Sequence, residues 1–255
     1  MRRHATVLGL AVLLGSLAAA CGGGSQEAQA PPPPTENPVD PATAGSVAGR
    51  VTFEGTPRTL PPMKMDSDPN CAAQAPTAPD ESVVVGGGGA LQNVFVYVKD
   101  GLGTLRFPVP AAAVVLDQKG CRYVPHVLGV QVGQGVEVLN SDPTLHNVHA
   151  APASNSEFNT GQPIQGMKHT HRFSTREVMV PFKCDVHPWM HAWVGVLDHP
   201  FFAVSGADGS FQLTGLPPGT YTIEAWHETL GTQTQTVTIG AKETGNVAFS
   251  FKSTT

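Results

Sequence analysis

The chain has 255 residues and carries 15 Lys plus Arg against 20 Asp plus Glu, a net charge of −5. With no basic stripe and no basic amphipathic helix, that balance excludes nucleic acid as a partner and electrostatic binding to a membrane surface. Beyond a leader and a tether, about 210 residues remain, enough to bury one large or two small cores.

Residues 1–20 read as an export leader: Arg2 and Arg3, an apolar run over 7–17, then Ala18-Ala19-Ala20 before Cys21. The apolar run is shorter than the roughly 18–20 residues that span a bilayer. Small residues leading into Cys21 resemble a bacterial lipobox, with Leu17 one place earlier than the commonest pattern. That implies lipidation of Cys21 and a place in the periplasm or cell envelope; an Ala-x-Ala cut at Ala18 to Ala20 is the alternative, and gives a secreted protein. Without Arg2 and Arg3 there are 13 basic residues against 20 acidic ones, a net charge of −7. Residues 21–45, with Gly22-Gly23-Gly24-Ser25 and Pro31-Pro32-Pro33-Pro34, offer almost nothing to a core and read as a disordered tether. Membrane contact is then through the lipid alone.

Residues 46–89 open with a strand-like alternation over 46–53, followed by the turn Glu54-Gly55-Thr56-Pro57 and an irregular segment. Short β-like runs follow over 94–98, 113–116, 127–132, 136–139, 172–174 and 178–182. No segment shows helical periodicity, so the fold class is all-β, with functional loops gathered at one end of an antiparallel sandwich. Cys71 and Cys121 remain as an even pair once Cys21 belongs to the leader and Cys184 to the loop described next, and they read as a disulfide. Such a bond closes a loop of about 50 residues and is worth a few kcal/mol in the chain-entropy model. Two buried free thiols, less suited to an oxidising compartment, are the alternative.

Phe182-Lys183-Cys184-Asp185-Val186-His187-Pro188-Trp189-Met190 places a thiolate, an imidazole and a thioether at Cys-x2-His-x2-Met spacing. A strongly donating sulfur, two imidazoles and a weak axial thioether form the donor set of a blue-copper site, and three of the four stand in this loop. His146, in Asn140-Ser141-Asp142-Pro143-Thr144-Leu145-His146-Asn147-Val148-His149 after a valine-rich run, offers the second imidazole.

On these residues, His146-Asn147-Val148, the Cys-x2-His-Pro-aromatic-Met loop and the closing run Ala192-Trp193-Val194-Gly195-Val196-Leu197, residues 90–198 resemble the cupredoxins. The likeness is greatest to the plastocyanin-like group that includes amicyanin and pseudoazurin. It implies a Greek-key β-sandwich holding one type 1 copper through His146, Cys184, His187 and Met190. Hydrogen bonds from outside the ligand set orient metal ligands, and Asn147, next to His146, is expected to brace the loop through its amide; a turn-forming Asn is the alternative. The likeness also implies that His187, beside Pro188 and Trp189, reaches an apolar surface where redox proteins dock; Trp189 as a mere packing residue is the alternative. His191, directly after Met190, departs from the pattern and alters the surface near the metal. Further on, Asp208-Gly209-Ser210-Phe211 and Leu216-Pro217-Pro218-Gly219 mark turns between alternating strands. Residues 199–255 resemble the carboxypeptidase regulatory-like, transthyretin-like modules, small prealbumin-like β-sandwiches that are usually non-catalytic. The strand 46–53 resembles the opening strand of the same module and is expected to complete it, with the cupredoxin part set between.

The remaining histidines read more plainly. His169 and His171 alternate around Thr170, so on a strand they would share one face and could bind a second metal. His149 and His191 follow ligands closely, and solvated surface imidazoles are the simpler account of all four. His126 is expected to hydrogen-bond within a strand, His199 and His227 to belong to the second unit, and Met63 and Met65 to fill gaps in a core. The function this predicts is an exported carrier of single electrons between redox proteins, not an enzyme, because only one copper loop is present and no second His-rich set. A copper-handling protein and a cell-surface β-module protein with a structural metal are the alternatives.

Overall fold

A computed structural model describes residues 34–58 and 60–252. The leader, Cys21 and the tether as far as residue 33 lie outside the described residues. Apart from the helix Pro69–Gln74 and a single 3-10 turn, the described chain is built from strands, which makes it an all-β protein.

The first sandwich has a five-stranded sheet in the order Phe158–Gln162, His146–Ala150, Glu177–Lys183, His191–Leu197 and Val127–Gln131. Its second sheet has four strands, in the order Lys168–Arg172, Gly135–Asn140, Val114–Gln118 and Tyr123–Val124. Side chains from the two sheets, among them Val136, Val138, Val148, Val180, Phe182 and Val194, meet in one buried core. Successive side chains of a strand point to opposite faces, so Val136 and Val138 turn inward while Glu137 between them does not.

The second sandwich draws on distant parts of the chain. Gly45–Glu54 lies between Ser210–Leu216, to which it is antiparallel, and Thr244–Lys252, to which it is parallel. Val47, Val51 and Phe53 face inward at period two and meet Phe249 and Phe251. The facing sheet runs Phe202–Val204, Phe95–Asp100, Gly219–His227 and Gly231–Ile239. Two sequence expectations change here. Phe95–Asp100, assigned by sequence to the body 90–198, pairs with Phe202–Val204 and Gly219–His227 instead. A continuous apolar run signals burial on both faces but not the sheet that receives it. Val96 and Val98 point into the second core, whereas Phe95 and Tyr97 point into the seam between sandwiches. The tether is also shorter than residues 21–45. Val39 is buried with Ala44 against the second core, and Lys242 donates its backbone N–H to Thr43.

The seam is apolar: Phe95, Tyr97 and Phe202 of the second unit lie on Val127, Met179 and Leu197 of the first. Gly129 and Gly195 make this approach possible. A Cβ on Gly195 would stand 2.4 Å from the Phe95 ring, and one on Gly129 would stand 2.3 Å from the ring of Phe202.

Candidate metal centre

His146 begins the strand His146–Ala150, and Cys184 follows the neighbouring strand Glu177–Lys183. The antiparallel register pairs Ala150 with Phe182 and His149 with Lys183, which brings Cys184 level with Val148 and close to Asn147 at the start of that strand. Tyr123 fastens the two strand ends together, its hydroxyl donating to the carbonyls of Asn147 (2.6 Å) and Lys183 (3.1 Å). The loop after Cys184 is closed by two backbone bonds, Cys184 N–H to Met190 O (3.2 Å) and Met190 N–H to His187 O (3.0 Å). Asn147 donates its backbone N–H to Cys184 Sγ (3.5 Å), while its side-chain oxygen accepts from Asp185 N–H.

The structure gathers His146, Cys184 and His187 so that their ligating atoms lie within 4.8 Å of one another, all three side chains buried. The two Nδ1 atoms are 2.9 Å apart, and Cys184 Sγ is 3.8 Å from His187 Nδ1. Met190 is buried in the first core beneath the same loop and is tied to it through its backbone. Burial alone pushes the Cys184 thiol up, but its polar contacts with the His146 and His187 rings and the Asn147 N–H outweigh it and bring the thiol down to about 6. Cys184 is therefore available as a thiolate, the form that binds metals.

The outer edges of both imidazoles face carboxylates. His146 Nε2 lies 3.0 Å from Asp142 Oδ2, and His187 Nε2 lies 3.2 Å from Asp68 Oδ2. Burial raises both carboxyls, but backbone and side-chain hydrogen bonds hold both below the usual aspartate value. An ionised carboxylate only accepts, so each Nε2 carries the ring hydrogen and each Nδ1 of a neutral ring turns a lone pair inward. Two such lone pairs at 2.9 Å beside a thiolate repel one another unless a cation lies among them. Carboxylate-backed histidines that fix the tautomer are the usual support of metal ligands. The donor set N, N, S thus fits a soft or borderline transition-metal ion.

Sequence reasoning missed Asp68, Asp142 and Tyr123. Asp142 had a signal, standing four residues before His146 in the Asn-Ser-Asp-Pro turn; Asp68 had only Pro69 after it, a helix-start cue silent about His187. The expected docking patch also differs. Trp189 is 7% exposed, donates its indole N–H to Cys121 O (3.0 Å) and lies 5.0 Å from the His187 ring, so it packs within the molecule. His187 itself is 1% exposed. Cys71 and Cys121 are joined by a disulfide.

The other histidines are placed as follows. His169 and His171 share a face, and both rings lie against Phe158. His149 bridges Asp185 (2.8 Å) and Glu157 (2.7 Å), and His191 is exposed. His126 links His191 O to Glu228 (2.5 Å), while His199 and His227 are buried. Met65 is buried in the first core, with Met63 packed at its edge. Beside Met190 and Trp189 opens a cavity of about 460 Å³, bordered by Met63, His126, Trp193 and Glu228.

Residues 192–252 match the family model of the carboxypeptidase regulatory-like domain. That match leaves out Gly45–Glu54 and Phe95–Asp100, the two strands that complete the same sandwich from upstream. No curated protein matches the chain. Among solved structures, a copper(I) form of a mutant amicyanin is 26% identical over 33% of this chain and 81% of its own, with a TM-score of 0.30. A purple cupredoxin from Nitrosopumilus maritimus is 23% identical over 33% of this chain and 98% of its own, with a TM-score of 0.29. A copper-containing nitrite reductase from Thermus scotoductus is 19% identical over 59% of this chain and 28% of its own, with a TM-score of 0.32.

Proposed function

We propose that this chain is an exported type 1 copper protein that carries single electrons between redox proteins and is not an enzyme. The observation that carries the proposal is the convergence of two carboxylate-backed Nδ1 atoms and a low-pKa thiolate in a buried site. Copper, when bound, supplies the one-electron couple. Asp142 and Asp68 hold the two imidazoles in one tautomer and one orientation, Asn147 and the loop bonds hold the sulfur, and Met190 supplies the thioether. Ligands held so firmly change little between oxidation states, which favours fast electron transfer. The burial of His146, Cys184 and His187 keeps substrates off the centre, as suits a carrier. In this proposal Cys21 bears a lipid that holds the protein in the cell envelope.

The test is the visible and electron paramagnetic resonance spectrum of the protein loaded with Cu(II), beside a Cys184→Ser control. An intense thiolate charge-transfer band with narrow copper hyperfine splitting, absent from the control, is expected. An ordinary weak Cu(II) spectrum, or no stoichiometric uptake, overturns the proposal.

A further inference from the structure

The outward side of the centre is occupied by residues that belong to neither of its sheets. Met63–Lys64 and Thr77–Ala78 pair as a small ribbon, and the helix Pro69–Gln74 lies between them. Asp68 is the N-cap of that helix. Its Oδ1 accepts from the N–H groups of Asn70 (2.7 Å) and Cys71 (3.1 Å), which leaves Oδ2 for the Thr144 hydroxyl (2.9 Å) and His187 Nε2 (3.2 Å).

Three residues on, Cys71 Sγ stands 3.8 Å from His187 Nε2 and is bonded to Cys121. Cys121 gives its N–H to Asp142 Oδ2 (2.7 Å), the carboxylate behind the other imidazole. One disulfide therefore ties together the two carboxylates that orient the two rings. Met65 and Ala78 bury their side chains in the first core on either side of the helix. The outcome is that His187 is sealed, although Val186 and Pro188 of the same loop are exposed.

We propose that Asp68 is the positioning residue of His187, and that Asp68 and the Cys71–Cys121 disulfide together hold residues 63–78 as a closed cover that limits exchange of the metal. The inference rests on the metal-binding function proposed above. A six-residue helix does not persist on its own in water, so its attachment must come from these tertiary ties. Asp68 supplies two at once, a cap to the helix and a bond to the ring. A dithiol reductant would remove the covalent tie: its two thiols give two electrons and two protons to the S–S bond, yielding the Cys71 and Cys121 thiols and the reductant's own disulfide. Reduction then leaves Asp68 and the side chains of Met65 and Ala78 as the remaining holds.

Two variants separate the parts. Asp68→Ser keeps a capping oxygen for the helix but is too short to reach His187, and it retains the disulfide. The double variant Cys71→Ser with Cys121→Ser keeps Asp68 and removes the covalent tie. With copper(I) loaded, capture by bathocuproine disulfonate is expected to be about 10- to 100-fold faster in either variant than in the wild type, the range seen when outer partners of metal ligands are removed. Without metal, nitrogen NMR is expected to show His187 as the single Nε2–H tautomer in the wild type and as a mixture in Asp68→Ser. Amide hydrogen exchange over residues 63–78 is expected to rise in the double variant while that of His146–Ala150 holds. Capture rates within about twofold of wild type, with the tautomer unchanged, overturn the inference. If the double variant does not fold, Asp68→Ser decides alone. Wild-type protein that takes up no copper overturns the proposed function, and the tautomer measurement on the metal-free chain still decides the role of Asp68.

Discussion

Replacing Asp142 by Asn changes one atom in the support of His146 and has a calculable cost. Asp142 is buried, and its Oδ1 accepts from Gly120 N–H (2.9 Å) while Oδ2 accepts from both Cys121 N–H (2.7 Å) and His146 Nε2 (3.0 Å). An amide has one oxygen, so its NH2 must face a donor in either orientation. Turned toward Gly120, it opposes a backbone N–H and leaves that donor unsatisfied. Turned the other way, it opposes Cys121 N–H and the ring hydrogen, which His146 escapes only by moving that hydrogen to Nδ1, where it points at the metal position. Hydrogen bonds to a charged group contribute about 1.5–3 kcal/mol each, and a buried donor left unmade costs about 1–3 kcal/mol. Metal-free Asp142→Asn is therefore expected to be about 2–4 kcal/mol less stable than wild type. Copper affinity is expected to fall by about 10- to 100-fold. Urea denaturation of the metal-free, disulfide-intact proteins gives the first quantity, and titration of the visible band gives the second. A variant within about 0.5 kcal/mol of wild type, binding copper equally well, would refute the tautomer argument, since that is the scatter of an ordinary surface substitution.

The remaining predictions concern the seam and the second unit. Gly195→Ala pushes a methyl into the buried Phe95 ring, whose nearest atom would lie 2.4 Å away, and overpacking of this kind costs about 1–3 kcal/mol. Its melting temperature should drop by about 2–10 °C; an unchanged melt would mean that the seam is loose. His199 and His227 are held neutral by burial, which pushes both from 6.5 down to about 4. Their rings already use Nδ1 as an acceptor, His199 from Phe201 N–H (3.2 Å) and His227 from Thr229 N–H (3.2 Å), so neither can take a proton without breaking a contact. Below pH 6.5 the unfolded chain binds protons that the folded chain refuses, so stability falls as pH falls toward 4. From pH 7.5 to 5 each ring should remove about 2 kcal/mol, offset in part by His126, which Glu228 raises in spite of burial. Melts of metal-free protein across that range should slope less steeply in His227→Gln; parallel slopes would exclude His227 as a cause.

What the sequence disclosed follows the distance over which each signal acts. Cys184, His187 and Met190 announce themselves because three donors in seven residues have little other use, and His146 because it stands at the end of a strand-like run. Period-two alternation in 46–53 and 210–216 was enough to assign strands. Asp68 could not be found in this way, because its contact with His187 spans 119 positions and the local cue Asp68-Pro69 speaks only of a helix start. The run 94–98 was legible as a strand and illegible as to its sheet, since apolar side chains carry no address. Trp189 shows the same limit: an indole beside a metal loop suits a docking surface and an interior equally, and its bond to Cys121 O decides for the interior.

The path of the chain explains why a cover this small can stay shut. From the strand Gly45–Glu54 of the second sandwich the chain crosses to the metal end of the first, and it returns to the second at the bridges Val85 to Leu91 and Thr52 to Ala90 before entering Phe95–Asp100. Both ends of the excursion are thus rooted in one sandwich, while its middle is fixed to the other by Cys121 and by Met65 and Ala78 in the core. A segment anchored at both ends loses less entropy on docking than a free arm, because part of its freedom is already gone. The second sandwich then has a mechanical part in this chain: its strands set where the cover begins and ends, and so where Asp68 stands. A fragment cut at 90–198 would keep His146, Cys184, His187 and Met190 yet lose Asp68, Cys71 and both strands that pair with Phe95–Asp100, namely Phe202–Val204 and Gly219–His227.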